Sequence, residues 1–364
     1  MINNRFYVFI LLAVITCGCN TADPINPKFL NVKTDSLPLT LFFGGDLMLA
    51  DASRYKLQNH GYSYPFEKTR HLFENVDVAL VNMEAPACDS CLQPQEIKDY
   101  VYKQKGFVTD TLEKVGFDVL LLANNHMTDY GHEGMPETIA NCEKSGIASL
   151  GAGINEQQAR QGLIISKGNY TIGVLTYMAY RWQYARLYDH FARGDQPGVA
   201  GLSKSAVRKD IHQLKGNGAD YIIVSVHWRK NYKPVTEKQK NEAKMIINAG
   251  ADMVVGHGNH DYQPMEMIDG KPVFYSLGNF CFGTRGNSKF NYEFPLTISM
   301  GQKDKPVIKL IPVLVQNRKV DYQPRHLKDQ EGAKAITEFI ERSQMKGLGR
   351  TDKNNGWLIL NSHP

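Results

Sequence analysis

The chain has 364 residues, and its 42 Lys and Arg residues against 37 Asp and Glu residues give a formal net charge of +5. With 42% hydrophobic and 22% charged residues, the composition is ordinary for a folded protein and excludes collagen-like, disordered and disulfide-scaffold chains. The basic residues are spread along the chain, without an arginine-rich run or a basic strip interleaved with aromatic residues. No nucleic-acid partner is therefore expected.

The first 18 residues predict a bacterial lipoprotein signal peptide. Residues 6–15 are apolar, but this run is shorter than the roughly 20 residues of a membrane span. It is followed by Thr-Cys-Gly-Cys, where Gly18 favours Cys19 over Cys17 as the residue that receives diacylglycerol. The alternatives are an ordinary secretory signal and a short anchor helix. A lipid on Cys19 would anchor the protein to the membrane at the bacterial cell envelope, facing the periplasm or the exterior.

Residues 19–38 predict a tether, and residues 39–364 predict one large domain. The tether contains Pro24, Pro27 and Pro38 and shows little hydrophobic periodicity, which suits a connection between a lipid and a folded body. Farther along, Cys88 and Cys91 form a CxxC pair that would either close a small disulfide loop or remain as free thiols. Without a second pair at ligand spacing, this motif is a weak signal for zinc or redox chemistry.

Short β-like runs then alternate with helix-like stretches. Strands are predicted at 39–44, 78–82, 119–123, 170–176, 221–226, 253–255 and 273–277, and helices at 66–74, 109–115, 136–145, 204–215 and 237–249. This alternation predicts a layered α/β fold. Strands at 294–300 and 307–315 follow each other without a helix, so that end of the sheet is expected to be antiparallel. A helix at 334–344 and a strand at 357–360 end the domain.

Polar residues follow five of the predicted strands. In open α/β sheets, ligands collect beyond the carboxyl ends of the strands, so these side chains are expected to share one site. Singly, each has an ordinary structural explanation, such as a helix cap for an Asp or a hydrogen-bonded core position for a His. Carboxylate and imidazole groups suit zinc, manganese or iron, and the absence of Cys disfavours a thiolate site. The residues are Asp46, Asn82, Glu84, Asn124, Asn125, His126, His227, His257 and His260.

Six motifs resemble the CapA (PgsA) family of capsule and poly-γ-glutamate biosynthesis proteins. The most specific are ANNHxxDxG and YSLGNF, and the resemblance spans about residues 39–315. It implies an α/β fold of the four-layer αββα sandwich type, similar to calcineurin-like metallophosphoesterases, with one or two divalent metal ions at the sheet ends. The motifs are Gly45-Asp46-Leu47-Met48, Asn82-Met83-Glu84, Ala123-Asn124-Asn125-His126-Met127-Thr128-Asp129-Tyr130-Gly131, His227-Trp228, Gln263-Pro264-Met265-Glu266 and Tyr275-Ser276-Leu277-Gly278-Asn279-Phe280.

The resemblance also implies roles for individual residues. His126 would be the imidazole beside a reacting phosphate, and Asp129 would orient it or cap the following helix. A carboxylate that bridges two metal ions could activate a water, and the imidazole could protonate the leaving oxygen. The implied metal ligands are Asp46, Glu84, Asn125, His227 and His260, and the metal would be manganese, zinc or iron. Asn82, Asn124 and Asn279 are predicted to contact substrate.

The chain departs from the family pattern in two places. Where the family usually has Gly-x-Glu-Tyr after the His-Trp pair, this chain has Arg229, Lys230, Asn231 and Tyr232. The carboxylate is lost, and the two cations would either grip an anionic substrate or belong to a solvated loop.

The second departure concerns Gly258, which stands where the family usually has the first His of Gly-x-His-Pro-His. His257 is one residue earlier, and a one-residue shift moves a ligand by roughly 3.5 Å, whereas metal–nitrogen distances tolerate only about 0.2 Å. Either the loop has rearranged to use His257, or one metal position is weakened or lost.

Three functions agree with these residues. The family name implies a membrane-tethered accessory protein of capsule or poly-γ-glutamate production, acting on an anionic polymer or its carrier, with a polymer-synthase complex as partner. The carboxylate and imidazole set supports a metal-dependent phosphoesterase that acts on a phosphorylated envelope substrate. The substitutions at 229–231 and 258 favour a non-catalytic binding protein with a degenerate site.

Overall fold

The computed structural model describes residues 25–32, 38–95, 98–228, 231–285, 291–301, 306–344, 349–352 and 357–361. The predicted signal peptide with Cys17 and Cys19 lies outside the described residues, and so do Arg229 and Lys230. No helix within the described ranges combines the length and the apolar character needed to cross a bilayer.

The strands begin near the N-terminus and continue to the end of the described chain. In chain order they are β1 (Lys28–Asn31), β2 (Leu39–Met48), β3 (Val78–Met83), β4 (Val119–Leu121), β5 (Ala148–Leu150), β6 (Ala152–Gly153), β7 (Leu163–Lys167), β8 (Tyr170–Ala179), β9 (Gly198–Val199), β10 (Gly201–Leu202), β11 (Tyr221–His227), β12 (Met253–His257), β13 (Gln263–Ile268), β14 (Lys271–Ser276), β15 (Asn279–Phe282), β16 (Tyr292–Glu293), β17 (Leu296–Met300), β18 (Val307–Leu310), β19 (Val313–Leu314), β20 (Arg325–His326), β21 (Gly349–Asp352) and β22 (Trp357–Asn361).

The helices lie mainly between strands. They are α1 (Arg54–His60), α2 (Val108–Val115), α3 (Gly131–Ser145), α4 (Glu156–Ala159), α5 (Trp182–Arg186), α6 (Lys204–Gly216), α7 (Glu237–Asn248), α8 (Asn317–Val320) and α9 (Asp329–Arg342). Their ends follow local chemistry. Thr236 and Gln239 form a capping box at the start of α7, and Gly116 ends α2 in the left-handed conformation.

Two large sheets form the body of the protein. The first has the order β1-β7-β8-β11-β12-β14-β13, with β10 beside β8, and the second has the order β21-β22-β18-β17-β2-β3-β4-β5, with β15 beside β2. Strands β8, β11, β12 and β14 are parallel neighbours, as are β2, β3, β4 and β5. Such strands are apolar on both faces because both faces are covered, and every residue of β3 is buried.

The two sheets pack face to face, with helices on their outer faces. Leu41 of β2 and Ile223 of β11 belong to the apolar core between the sheets. The opposite face of the second sheet packs against α2 and α3, and that of the first packs against α6 and α7. This arrangement confirms the predicted four-layer αββα sandwich.

Two expectations about the early chain were wrong. Residues 66–74 do not form an α-helix but two short 3-10 turns, Tyr64–Phe66 and Arg70–Leu72. Thr69 separates them, since its amide and its hydroxyl both donate to the Phe66 carbonyl and no continuous i→i+4 ladder forms. The predicted tether, residues 19–38, does not hold over residues 28–31, because β1 pairs with β7 inside the first sheet.

Three further expectations are settled by the structure. The end of the second sheet is antiparallel, because β17 pairs antiparallel with both β2 and β18. The single strand predicted over 307–315 is divided into β18 and β19, which lie in different sheets. Cys88 and Cys91 form a disulfide, whereas Cys142 and Cys281 are buried free thiols.

Candidate metal centre

The carboxyl ends of four strands from both sheets meet at one edge of the sandwich. Asp46 lies in β2, Glu84 directly follows β3, and His227 and His257 end β11 and β12 as register partners. Gly45 is needed here, because a Cβ at this position would lie 2.0 Å from the Gly278 carbonyl, to which the Asp46 amide donates. Side chains distant in sequence are therefore brought together by strand geometry, as expected for such sheets.

The predicted ligands form a buried group that we call the polar cluster: Asp46, Glu84, Asn125, His227, His257 and His260. Within it, one ligand atom each of Asp46, Glu84 and His260 lies within 4.8 Å of the other two. His260 is placed between the two carboxylates, with Nδ1 3.5 Å from Asp46 Oδ2 and Nε2 3.8 Å from Glu84 Oε1.

His227 lies beside Glu84 and links it to Asn125. His227 Nε2 donates to Asn125 Oδ1 at 2.6 Å and lies 3.5 Å from Glu84 Oε1. Burial lowers the pKa of His227 well below its ordinary value, more than the charge of Asp46 raises it, so the ring is neutral. A neutral imidazole is the form that binds a metal ion.

His257 contributes the imidazole in the loop that departs from the family pattern. Its Nδ1 lies 3.4 Å from Asp46 Oδ1. Gly258 has φ +85°, and a Cβ there would lie 2.5 Å from His227 Nε2, so a side chain at 258 has no room beside His227. The structure thus places His257 beside Asp46 and leaves position 258 without a side chain, and the role of His257 as a metal ligand stays a prediction.

The electrostatics of the cluster keep Asp46 ionised. Burial alone would raise the pKa of this carboxyl, but the neighbouring imidazoles, His257 first among them, lower it to about 2. The Gly258 amide also donates to Asp46 Oδ2 at 3.1 Å. A permanently charged carboxylate surrounded by imidazoles is an arrangement that a divalent cation would stabilise.

The residues present fit a metal ion. His257 Nε2 is buried and makes no hydrogen bond to any described residue, as expected of an imidazole that lacks its partner. Two carboxylates and three imidazoles are donors for zinc, manganese or iron. The group Asp46, Glu84 and His260 is therefore a candidate centre for a divalent metal.

Beside the cluster, His126 is held by a second set of charges. Its Nδ1 donates to Asp129 Oδ2 at 2.6 Å, and the other carboxylate oxygen of Asp129 accepts from Lys98 Nζ. Lys98 also donates to the Asn125 carbonyl at 2.6 Å, and the Tyr102 amide donates to Asp129 at 2.7 Å. Asp129 thus orients His126, one of the two roles implied by the family resemblance. Sequence reasoning missed Lys98 and Tyr102, because both lie in a connecting segment without a motif.

The three amides predicted to contact substrate hold other residues of the site. Asn82 donates to Asp46 at 2.7 Å, Asn124 donates to the Met83 carbonyl at 2.8 Å, and Asn279 accepts from His260 Nδ1 at 3.0 Å. These contacts fix the donors behind the cluster, as supporting shells of metal sites do. Their predicted contact with substrate stays a prediction.

A cleft of about 640 Å³ opens beside the polar cluster. Its lining includes Asn125, His126 and His260, together with residues from several connecting segments. The lining residues are Asp51, Lys98, Asp99, Tyr100, Val101, Tyr102, Asn125, His126, Tyr184, Tyr188, Asn231, Tyr232, His260, Phe282, Thr284 and Arg285.

The chain was also compared with known proteins. The family profile described as "Bacterial capsule synthesis protein PGA_cap" matches residues 40–284. "Capsule biosynthesis protein CapA" of Bacillus anthracis is 30% identical over 252 residues, which cover 67% of this chain and 60% of that protein. "PGA biosynthesis protein CapA" of Bacillus subtilis is 29% identical over 258 residues, which cover 70% of this chain and 66% of that protein.

More distant matches have similar extent. A "Probable polyglutamine synthesis accessory protein" of Mycobacterium tuberculosis is 28% identical over 249 residues, which cover 65% of this chain and 64% of that protein. The chain therefore spans 60 to 66% of the length of these curated relatives. Among solved structures, the calcineurin-like phosphoesterase YfkN from Bacillus subtilis matches 85% of this chain and 97% of its own, with a TM-score of 0.42 and 13% identity.

Proposed function

Because the chain belongs to the bacterial capsule synthesis protein family PGA_cap, we propose that it acts in capsule or poly-γ-glutamate-type polymer production as a metal-dependent phosphoesterase. Family membership confirms the predicted CapA (PgsA) resemblance, and the relatives with assigned roles are named for capsule, PGA or polyglutamine synthesis. The catalytic part of the proposal is carried by one observation. A buried group of carboxylates and imidazoles lies beside an open cleft that His126 also lines.

Asp46, Glu84 and His260 would hold the metal ion, with Asn125, His227 and His257 completing one or two coordination shells. Once bound, a divalent ion supplies a more acidic water and neutralises charge on a phosphate. Three donors of the polar cluster, Asp46, His227 and His257, sit on paired strands. The Glu84 amide donates to the Leu47 carbonyl at 2.8 Å, which ties β3 to β2 at the site.

His126 is arranged for proton transfer in the cleft. Burial lowers its pKa more than Asp129 raises it, so the free ring is neutral, with Nδ1–H directed to Asp129. No described residue bonds to the opposite nitrogen, Nε2, and the ring lines the cleft. An anionic phosphate beside the ring favours its charged form, so Nε2 would gain a proton once substrate binds and pass it to the leaving oxygen.

Metal content and turnover test this function together. Protein purified without chelator is expected to contain manganese, zinc or iron and to hydrolyse a generic phosphoester when manganese is added. The variant His126→Ala should retain the metal and lose about 10²- to 10⁴-fold in kcat. A metal-free protein without turnover, or full turnover by His126→Ala, contradicts the proposal.

The alternative of a non-catalytic binding protein has one specific observation in its favour. Asn231 lines the cleft where the family usually has a carboxylate, so one candidate acid is missing. A deletion strain complemented with either the wild type or His126→Ala separates the two functions. Polymer restored equally by both would favour binding, whereas polymer restored only by the wild type would favour catalysis.

The location proposed from the N-terminal sequence is the bacterial cell envelope, through a lipid on Cys19 that anchors the protein on its periplasmic or exterior side. Metabolic labelling with a fatty acid tests it, with Cys17→Ala as the matched control for Cys19→Ala. Label lost only from Cys19→Ala supports the anchor, and label absent from the wild type contradicts it.

The proposal retains Arg229 and Lys230 as groups that grip an anionic substrate. The double variant Arg229→Gln with Lys230→Gln is expected to raise KM for the phosphoester about 10-fold with little change in kcat, since two charge-assisted contacts are lost. An unchanged KM would assign both cations to a solvated loop.

A further inference from the structure

We propose that the cleft takes a phosphorylated sugar, whose phosphate lies at the polar cluster and whose ring packs against an aromatic wall. The wall consists of Tyr102, Tyr184, Tyr188 and Phe282, which all line the cleft. That the phosphate binds at the polar cluster rests on the proposed function. That a sugar ring packs beside it rests on the aromatic wall alone.

The cleft has the size of a site for one small ligand. Its volume of about 640 Å³ lies within the range of roughly 300–1,000 Å³ that is common for small-molecule sites. Two rings of the wall are largely buried, Tyr184 at 1% and Phe282 at 7% exposure, and support the half-buried Tyr102 and Tyr188, which present most of the aromatic surface to a ligand. Tyr100 also lines the cleft but is 69% exposed, and it is not counted in the wall.

The aromatic wall begins directly at the catalytic groups. The Tyr102 ring centroid lies 4.6 Å from that of His126, and the Phe282 centroid lies 4.7 Å from that of His260. A ligand held at His126 and His260 by its phosphate therefore meets aromatic surface with its next atoms. One ligand can occupy both parts of the site.

The angles between the ring planes of the wall determine which ligand shapes can pack against it. Tyr102 and Phe282 stand at 90° to each other with centroids 6.2 Å apart, and Tyr184 and Tyr188 stand at 73° with centroids 5.0 Å apart. Neither pair forms a parallel slot, which is what a flat nucleobase would need to stack between two rings. A tilted wall instead fits a thick ring with apolar C–H faces, such as a pyranose chair.

Lys98 joins the two halves of the wall. Its Nζ lies 5.6 Å from the Tyr184 ring centroid and 5.5 Å from the Tyr188 centroid, and it pairs with Asp129, which the Tyr102 amide also binds. The charge of Lys98 is thus engaged inside the protein. It fixes the positions of the tyrosines more than it attracts a distant anion.

The remaining charges do not favour an extended polyanion. Of the described lining residues, Arg285 is the other cation, and the carboxylates Asp51 and Asp99 oppose it. A strongly anionic chain laid along the cleft would meet like charges as well as opposite ones. Asp99, Asn231 and Thr284 offer polar groups to sugar hydroxyls, which need partners when they are buried.

The experiment compares substrates with and without a ring in the full-length protein with added manganese. The kcat/KM for α-D-glucose 1-phosphate is expected to exceed that for glycerol 3-phosphate at least 10-fold. In Tyr188→Ala this ratio should fall about 5- to 10-fold, since one aromatic face is lost. Tyr188→Phe should keep the ratio, because it retains the ring, and Tyr55→Ala should keep it, because the exposed Tyr55 is not part of the cleft.

Two outcomes overturn the inference while leaving the phosphoesterase intact. One is an equal kcat/KM for the ring-bearing and ring-free substrates. The other is a higher kcat/KM for adenosine 5′-monophosphate than for glucose 1-phosphate, which would assign the wall to a flat base.

Calorimetric binding separates this inference from the proposed function. If no phosphoester is hydrolysed, the proposed function fails. Binding of glucose 1-phosphate that Tyr188→Ala weakens at least 5-fold would still support the sugar site. Binding that Tyr188→Ala leaves unchanged, or no binding, would overturn it.

Discussion

The polar cluster and the aromatic wall are adjacent but are built in different ways. Members of the polar cluster such as Asp46 and His257 lie on strands whose backbones are paired in the sheets. Within the wall, Phe282 ends β15 and Tyr184 lies in α5, but Tyr102 and Tyr188 lie in connecting segments, one between β3 and α2 and one shortly after α5. The difference teaches that the sheets position most of the candidate metal ligands, whereas the connections supply much of the shape that a substrate meets.

The segment between β3 and α2 is nevertheless well anchored at its base. Gln104 accepts from the Leu49 amide at 2.6 Å and donates to the Ala85 carbonyl at 3.1 Å. The Cys88–Cys91 disulfide closes the first turn of the segment, and Lys103 donates to the Cys91 carbonyl at 2.8 Å. Tyr102 is thus held between a fixed base and Asp129.

The largest expected effect removes a charge from the polar cluster. Asp46→Asn keeps the shape of the side chain but not its negative charge, and Asp46 is 0% exposed. Metal affinity should fall by more than about 100-fold, beyond the roughly 10- to 100-fold typical of supporting residues. Metal content after dialysis measures it, with the exposed Asp110→Asn on α2 as control. A full complement of metal in Asp46→Asn would remove Asp46 from the ligand set.

The next largest effect tests the segment between β3 and α2, which carries Lys98. Lys98→Met removes the cation that pairs with Asp129 and donates to the Asn125 carbonyl. We expect kcat/KM for a phosphoester to fall about 10- to 100-fold while metal content stays the same, because His126 loses its fixed orientation. Lys105→Met, in the same segment but on the surface, should retain activity. If Lys98→Met also loses the metal, the polar cluster depends on the segment that carries Lys98, and the two regions do not act independently.

A smaller effect concerns the stability of the strand-end loop. Gly258→Ala places a Cβ 2.5 Å from His227 Nε2 at φ +85°, whereas Gly61→Ala has a similar φ of +87° with nothing within 4 Å. The free energy of unfolding should fall by about 1–3 kcal/mol in Gly258→Ala and by less in Gly61→Ala. Urea titration measures both. Equal losses would show that the contact with His227 adds nothing to the backbone strain.

The smallest effect is a dependence of the free energy of unfolding on pH, and it originates at the buried His190. Burial, with the charge of Lys98, lowers the pKa of His190 from 6.5 to about 3. Below pH 6.5 the unfolded chain binds a proton at this residue and the folded protein does not, so stability is full above pH 6.5 and declines toward pH 3. The decline attributable to His190 is at most about 1.4 kcal/mol per pH unit.

Urea titrations of the wild type and His190→Gln between pH 7.5 and 5 measure this contribution. The variant is expected to be less stable at pH 7.5, since His190 Nε2 hydrogen-bonds the Asn124 carbonyl at 2.8 Å. Its stability should nevertheless change less with pH than that of the wild type. The same slope in both proteins would contradict the assignment to His190.

Much of the fold and the polar cluster could be predicted because both depend on local pattern. Apolar runs such as residues 78–82 identified the buried parallel strands, and the polar residue after each strand had to reach the same sheet edge. The helix predicted over 66–74 failed, because Thr69 bonds the Phe66 carbonyl and the chain turns twice. An apolar pattern cannot distinguish one helix from two short turns that bury the same side chains.

The sequence by itself determined the layered α/β fold, the family and the donors of the polar cluster, because strand periodicity and motif spacing are local properties of the chain. Only the tertiary structure decided that His257 faces Asp46 and that a side chain at position 258 has no room beside His227. It also decided that Tyr102 and Tyr188, 86 residues apart in the sequence, line the same cleft. Such contacts depend on how distant connections fold back over the sheet ends, and no local pattern records that.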